Sequence, residues 1–309
     1  MAEHAASSPK VRIGFGLGVR TRLNDDGFGV VVDALERLRF DSLWLSERIS
    51  GDAPDPLTAM AFAAGRTRKL KLGMSVMVLP GRNPIVLAKE LATLDRLSNG
   101  RLLPAFGLGV ADPHEQQAFG VARGERAAIF DESLAVLRAA WAEGSFTHDG
   151  EHFHYDDLTV LPKPRQHHVD VWLGGIAPSE LRRVGRLADG WLPSFVTPDD
   201  AARGREIIES TLAQHDRTID DDHYGVLIPY ALGPIPEHLL AGLAKRRPDL
   251  ADPRVLIPNG WDELLQVIDR FVAVGTTKFV ILPLVEPAGP DAWVAHLEEA
   301  APHVLPRQT

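Results

Sequence analysis

The chain has 309 residues, 45% of them hydrophobic and 24% charged, with a formal net charge of −9 and no cysteine. The missing thiols exclude disulfides, thiolate metal sites and cysteine nucleophiles; the acidic balance and scattered basic residues argue against a nucleic-acid partner, which needs a clustered positive face. No run of about 18 apolar residues is present to span a bilayer, and Met1 to Lys10 lack the apolar stretch of a secretory leader, so a cytoplasmic protein without membrane attachment is expected.

Strand-like and helix-like runs then alternate to the carboxyl end. Val11–Leu17 reads as a first strand, and Phe28, Val31, Val32, Leu35 and Leu38 form the apolar stripe of the helix after it. Ser42–Ser46 is a second strand, Pro56–Gly65 an alanine-rich helix, and Leu70–Val78 a third strand. Asn83 and Pro84 form a cap and first turn for a helix carrying Leu87, Leu91 and Leu94, and Asn99-Gly100 can end it. Leu102–Val110 is a fourth strand, followed by a helix over Glu125–Trp141. Phe146–His168, rich in Gly, Pro, His and Asp, reads as a hairpin or irregular excursion. The rhythm resumes with a strand at Val169–Leu173, a helix at Pro178–Ala188, a short strand at Trp191–Phe195 and a Thr197-capped helix over Pro198–Gln214. A strand at Tyr224–Leu232 precedes the Pro-rich Gly233–Asn259, which has no clear assignment. Trp261–Val274 is a helix stopped by Gly275, Lys278–Leu284 the eighth strand and Pro290–Ala300 the last helix.

Eight strands joined by helices predict one domain folded as an α/β (β/α)8 TIM barrel with insertion segments. An open doubly wound sheet is the alternative, but no G-x-G-x-x-G follows Gly16-Leu17-Gly18. In a barrel, ligands sit at the carboxyl ends of the strands. That places Gly16 and Gly18, Ser46, Glu47 and Arg48, Ser75 and Val76, Gly107 and Gly109, Gly174 and Gly175, Trp191 and Ser194, and the loop after Leu284 around one site.

Gly107 and Gly109 allow a flat ring or a phosphate to approach the backbone, or simply make a tight turn. Gly174-Gly175-Ile176-Ala177-Pro178 puts unobstructed amides at a helix start, a phosphate-binding arrangement or again a turn. Ser75 interrupts an apolar strand, so its hydroxyl needs a partner, either a cofactor or a neighbouring group. Glu47 and Arg48 could hold a polar cofactor edge or substrate, or form a surface ion pair. His148, His152 and His154 lie in the polar excursion, where hairpin alternation would put His152 and His154 on one face; a solvated hairpin is the reading preferred over a metal site. No H-E-x-x-H and no G-x-S-x-G occurs.

Several motifs in order resemble the luciferase-like monooxygenase superfamily: Phe40-Asp41-Ser42-Leu43-Trp44-Leu45-Ser46-Glu47; Leu79-Pro80-Gly81-Arg82-Asn83-Pro84 with Asp95-Arg96-Leu97-Ser98-Asn99-Gly100-Arg101; Gly107-Leu108-Gly109; and Trp172-Leu173-Gly174-Gly175 with Ala188-Asp189-Gly190-Trp191. The resemblance implies a homodimeric barrel binding coenzyme F420 or FMN. The ring would lie near Met74, Ser75 and Val76, where the family often has a non-prolyl cis peptide, bordered by Gly107 and Gly109. The phosphate would contact Gly174, Gly175 and nearby amides such as those of Ile176 and Ala177. Arg48 stands where many deazaflavin members carry histidine, and arginine does not shuttle protons near neutral pH. Glu47 is then the alternative proton-handling candidate, and Arg48 could orient an anionic group. The leading expectation is F420-dependent hydride transfer to or from a small organic substrate. Family subtype supports it, as do 7 lysines against 26 arginines, a sign of a high-GC genome. The alternatives are an FMN-dependent monooxygenase fed by a reductase, and an inactive ligand-binding barrel.

Overall fold

The computed structural model describes residues 10–23 and 26–309, so the reading of the amino terminus as leaderless falls outside it except at Lys10. In chain order the elements are β1 (Arg12–Leu17), α1 (Asp26–Leu38), β2 (Ser42–Leu45), α2 (Pro56–Arg66), β3 (Lys71–Met74), β4 (Met77–Val78), α3 (Pro84–Leu97), β5 (Leu102–Leu103), β6 (Ala105–Gly107), α4 (Pro113–Phe119), α5 (Arg126–Trp141), β7 (Phe146–Asp149), β8 (His154–Leu158), β9 (Trp172–Leu173), α6 (Pro178–Leu187), β10 (Gly190–Trp191), α7 (Pro198–Gln214), β11 (Gly225–Tyr230), α8 (Glu237–Arg246), α9 (Trp261–Ala273), β12 (Lys278–Pro283) and α10 (Pro290–Val304). Among the described residues no helix is long and apolar enough to cross a membrane.

The parallel strands form a six-membered sheet, β11-β12-β1-β2-β3-β5, and a four-membered sheet, β10-β9-β6-β4. β3 and β4 are one expected strand broken at the cis peptide Ser75–Val76. β5 and β6 are another, broken at Pro104, which has no N–H to give a ladder. Both sheets therefore share these two positions. On the other side, isolated parallel bridges Trp191–Tyr224 and Ser194–Leu227 join the β10 segment to β11. The arrangement is barrel-like, with an interrupted ladder in place of continuous pairing.

The interior confirms that the strands face a common centre. Trp44, Ala105, Trp172, Leu192, Leu227 and Val280, from both sheets, form one buried cluster, with Val76, Leu103 and Leu282 against it. The Trp44 and Trp172 rings meet edge-on at 6.5 Å. Their bulk requires bare backbone beside them: a Cβ on Gly73 would stand 2.3 Å from the Trp44 ring, and one on Gly190 2.5 Å from that of Trp172. The larger core lies outside the ring, between strands and helices, and includes Ile13, Phe15, Leu72, Met74, Leu91, Leu134, Ile268 and Leu297.

Local signals in the sequence account for several helix ends. Asn83 accepts from the Ile85 and Val86 N–H groups, Thr197 accepts from that of Asp200, and Asn99 and Gly100 take left-handed φ values of 64° and 78°. Two helices occupy stretches without an expected element: α4, capped by Asp112, and α8, within the unassigned Pro-rich segment. The expected hairpin is the antiparallel pair β7–β8, with His148 opposite Tyr155 and His154 opposite Asp149. His152 sits in its turn, half-buried, while His154 is exposed. Alternation does not run through the turn, so these two histidines do not share a strand face.

Candidate active site

A cavity of about 560 Å³ opens at the carboxyl ends of the strands. Ser46, Glu47, Arg48, Ser75, Val76, Gly107, Gly109, Gly174 and Gly175 all line it, as do Gly18, Ser194 and Leu284. Strand polarity brings them together, because each follows a strand running the same way.

Ser75 finds its partner across the β2–β3 pairing: the Ser46 hydroxyl donates to the Ser75 carbonyl at 2.9 Å and lies 3.3 Å from the Ser75 hydroxyl. Glu47 is engaged at both oxygens. One accepts from the Val78 N–H at 2.6 Å and the other pairs with Arg82. Burial pushes its carboxyl pKa up, against the pull of the Arg82 charge and the Val78 N–H. Arg82 also donates to the Val78 carbonyl, so this pair braces the backbone just beyond the cis peptide. Arg48 reaches Asp112 at 3.1 Å and Glu115 at 3.6 Å. Glu115 in turn accepts from the Ile49 and Ser50 N–H groups and the Ser50 hydroxyl. Burial raises the Glu115 pKa, but these hydrogen bonds and the Arg48 charge outweigh it and hold the carboxyl below its ordinary value.

Gly107 lies flush with Val76; a Cβ there would stand 2.5 Å from the Val76 Cγ2. Arg126, at the start of α5, hangs over the next turn and donates to the carbonyls of Leu108, Gly109 and Val110, while its buried Nε has no protein partner. Gly175 takes a φ of 96° before α6.

Five expected residues do not line the cavity, among them Trp191, which is buried in the outer core with its indole N–H donating to the Gly175 carbonyl at 3.0 Å. Gly16 faces the barrel interior, where a Cβ would meet Val280 and Leu282 at 3.1 and 3.3 Å. Met74 is fully buried in the outer core, because strand alternation turns it towards the helices. Ile176 and Ala177 are exposed, and their N–H groups both donate to the Glu180 carboxylate at 3.0 Å. The helix thus caps itself with its own acid, three residues past the Ala177 N-cap, a spacing legible in the sequence. The reading from sequence also missed Arg82, Arg126 and the inner face of α8, where His238, Leu239, Gly242, Leu243 and Arg246 close one side of the cavity. Arg82 was visible within the quoted motif before the α3 cap. The α8 face recurs at helical spacing but is hidden by the surrounding prolines.

A ring of parallel strands with glycines, serines and ion pairs around one open end defines a TIM-barrel-like ligand site. The model of the luciferase-like monooxygenase family matches residues 28–257, and the chain belongs to that family. Among its relatives, an F420-dependent glucose-6-phosphate dehydrogenase of Intrasporangium calvum is 29% identical over 207 residues, covering 60% of this chain and 59% of that protein. A phthiodiolone/phenolphthiodiolone dimycocerosates ketoreductase of Mycobacterium tuberculosis is 32% identical over 168 residues, covering 53% and 44%. The chain thus spans about half the length of these curated relatives. Among solved structures, an F420-dependent secondary alcohol dehydrogenase in complex with an F420-acetone adduct superposes with a TM-score of 0.78 at 19% identity, covering 96% of this chain and 99% of that one. The FMN-bound oxygenating constituent of 3,6-diketocamphane monooxygenase from Pseudomonas putida gives 0.76 at 18%, covering 97% and 99%. At these identities the likeness is one of fold.

Proposed function

We propose that this protein is a coenzyme F420-dependent oxidoreductase acting on a small organic substrate. The observation that carries the reading is the wall that Val76 and Gly107 form along the cavity, packed so closely that a Cβ at Gly107 would stand 2.5 Å from the Val76 Cγ2. The cavity volume falls within the range of small-molecule and cofactor sites. Among the described residues no protein acceptor takes the Gly175 N–H, leaving a donor beside the cavity for a phosphate. These residues fit a planar, phosphate-bearing cofactor: Ser46, Ser75, Val76 and Gly107 would border its ring, and Gly174, Gly175 and Arg126 its phosphate.

F420, when bound, supplies or accepts the hydride; the protein supplies orientation and electrostatics. Ser46 fixes the Ser75 carbonyl, and the Glu47–Arg82 pair fixes Val78, so the wall against the ring is rigid at both ends. With both its oxygens occupied, Glu47 acts in this reading as a positioning residue, and a proton-handling role would require release of Arg82. Arg48 lines the cavity and faces the substrate in this reading.

FMN is the second reading, supported by the fold shared with an FMN-bound monooxygenase, and it would need a reductase partner. Titration of the purified protein with F420 and with FMN decides between them. F420 binding is expected; tight FMN binding without F420 binding would overturn the choice. The homodimer implied by the resemblance is checked by light scattering on the eluted protein.

A further inference from the structure

We propose that the substrate carries an oxyanion, a carboxylate or a phosphate, seated on Arg246 of α8 in the cavity it shares with Arg48. The inference rests on the reading of this cavity as the substrate site, but its test does not depend on the identity of the cofactor.

Three observations converge on Arg246. First, Arg246 and Arg247 are sequence neighbours with opposite fates. Arg247 is buried and satisfied, paired with Asp200 at 2.9 Å and with Asp249 at 2.6 Å, and donating to the Phe195 carbonyl at 2.7 Å. Arg246 lines the cavity and, among the described residues, has no carboxylate within ion-pair reach and no protein acceptor for its N–H donors. A guanidinium presents five such donors in a fork that matches an oxyanion.

Second, the Arg246 guanidinium lies over the Phe195 ring, 4.5 Å from its centroid. Phe195 has a φ of 59°, a left-handed backbone that bulky side chains rarely adopt. Such a conformation persists where the surroundings over-determine it, and it concentrates at ligand-holding sites. Here Arg247 grips the Phe195 carbonyl while Arg246 rests on the ring. Arg247 thus sets both the end of α8 and the platform beneath its neighbour, so Arg246 is held in place before a ligand arrives.

Third, Arg48 lines the same cavity as Arg246. Partial desolvation at the cavity edge and the Arg48 charge both lower the Arg246 pKa, although the residue stays exposed. Arg48 is itself drawn to Asp112 and Glu115, and Glu115 is committed to the Ile49–Ser50 backbone. An anion between the two guanidinium groups would relieve that repulsion and use the free donors. His238, two helical turns before Arg246, faces the same cavity and can add a donor.

The test is calorimetric titration of the full chain, without cofactor, with inorganic phosphate and separately with acetate. Wild type is expected to bind at least one of them, and Arg246→Gln to weaken that binding about tenfold, the loss of a charge-assisted contact. Phe195→Leu is expected to weaken it in the same direction by removing the platform, and Arg246→Lys to recover part of the loss. Circular dichroism confirms that each variant is folded. Arg126→Gln, at the glycine-rich wall, serves as the map control: binding lost there and kept in Arg246→Gln would overturn the proposal, as would the absence of binding by wild type. Failure of F420 to bind in its own titration would refute the functional reading and leave the anion result standing.

Discussion

Gly107→Ala probes the cavity wall most directly. The new Cβ would stand 2.5 Å from the Val76 Cγ2 but 3.6 Å from its Cβ. Carbon atoms settle at about 3.5–4.0 Å, so one methyl must retreat by about 1 Å while the rest of Val76 can stay. Valine can do this by changing its single χ1 well, at a cost near the lower end of the roughly 1–3 kcal/mol of overpacking. Rotation would turn a methyl out of this wall towards the cavity, on the side assigned to the cofactor ring. Urea unfolding is therefore expected to show a loss of about 1 kcal/mol, and fluorescence titration an F420 affinity about tenfold weaker, equivalent to about 1.4 kcal/mol. Adding Val76→Ala removes the clashing methyl and should restore most of both losses, a non-additivity that a double-mutant cycle reads directly. If Gly107→Ala binds F420 as tightly as wild type, the ring does not lie against this wall.

Glu180→Ala removes the acceptor shared by the Ile176 and Ala177 N–H groups and should cost about 1 kcal/mol in chemical denaturation. Cofactor affinity should stay within about twofold if the phosphate uses Gly174 and Gly175; a rise of about tenfold would move the phosphate onto the freed amides. Arg101→Met removes a buried guanidinium that donates to the carbonyls of Ala64, Thr67, Leu70 and Ser98 and to the Thr67 hydroxyl. Its loss orphans several acceptors at once and is expected to cost about 3–5 kcal/mol, measured by urea unfolding. Lys278, buried beside Asp41, has its pKa pulled down to about 8 from 10.5, chiefly by burial. Between pH 8 and 10 the unfolded chain holds more protons at this site than the folded one, so Lys278 makes stability rise with pH. Lys71 and Arg12 also face Asp41, so the comparison protein is Lys278→Met with Asp41→Asn, in which that rise should be missing from pH-dependent unfolding curves.

Periodicity and caps made most of the helices legible, because an amphipathic stripe and a polar N-cap are local properties. The strand positions were legible too, and the family resemblance pointed to the cis peptide found at Ser75–Val76; periodicity alone shows continuous strand there and does not reveal that β3 and β4 serve different sheets. In a barrel both strand faces are buried, so alternation alone could not say that Met74 turns outward while Gly73 packs beneath Trp44. Strand polarity collected Ser46, Glu47, Ser75, Gly107 and Gly174 at one cavity, since it needs only chain direction. The self-capping by Glu180 was readable at its spacing and was passed over. Arg246 was hidden for a different reason: its partner surface, Phe195, is 51 residues earlier in the chain, and only the fold brings them together.

The paired indoles of Trp44 and Trp172 act as a hard stop below the cavity, since Val76, Leu227 and Leu282 line it and rest on the same cluster. Depth is consequently the least adjustable dimension of this site: enlarging it downward means dismantling the plug that the strands close around. Molecules of different length can be accommodated only by growth outward, past the inner face of α8. On that side the cavity offers room at Gly242, where an added methyl would touch nothing within 4 Å.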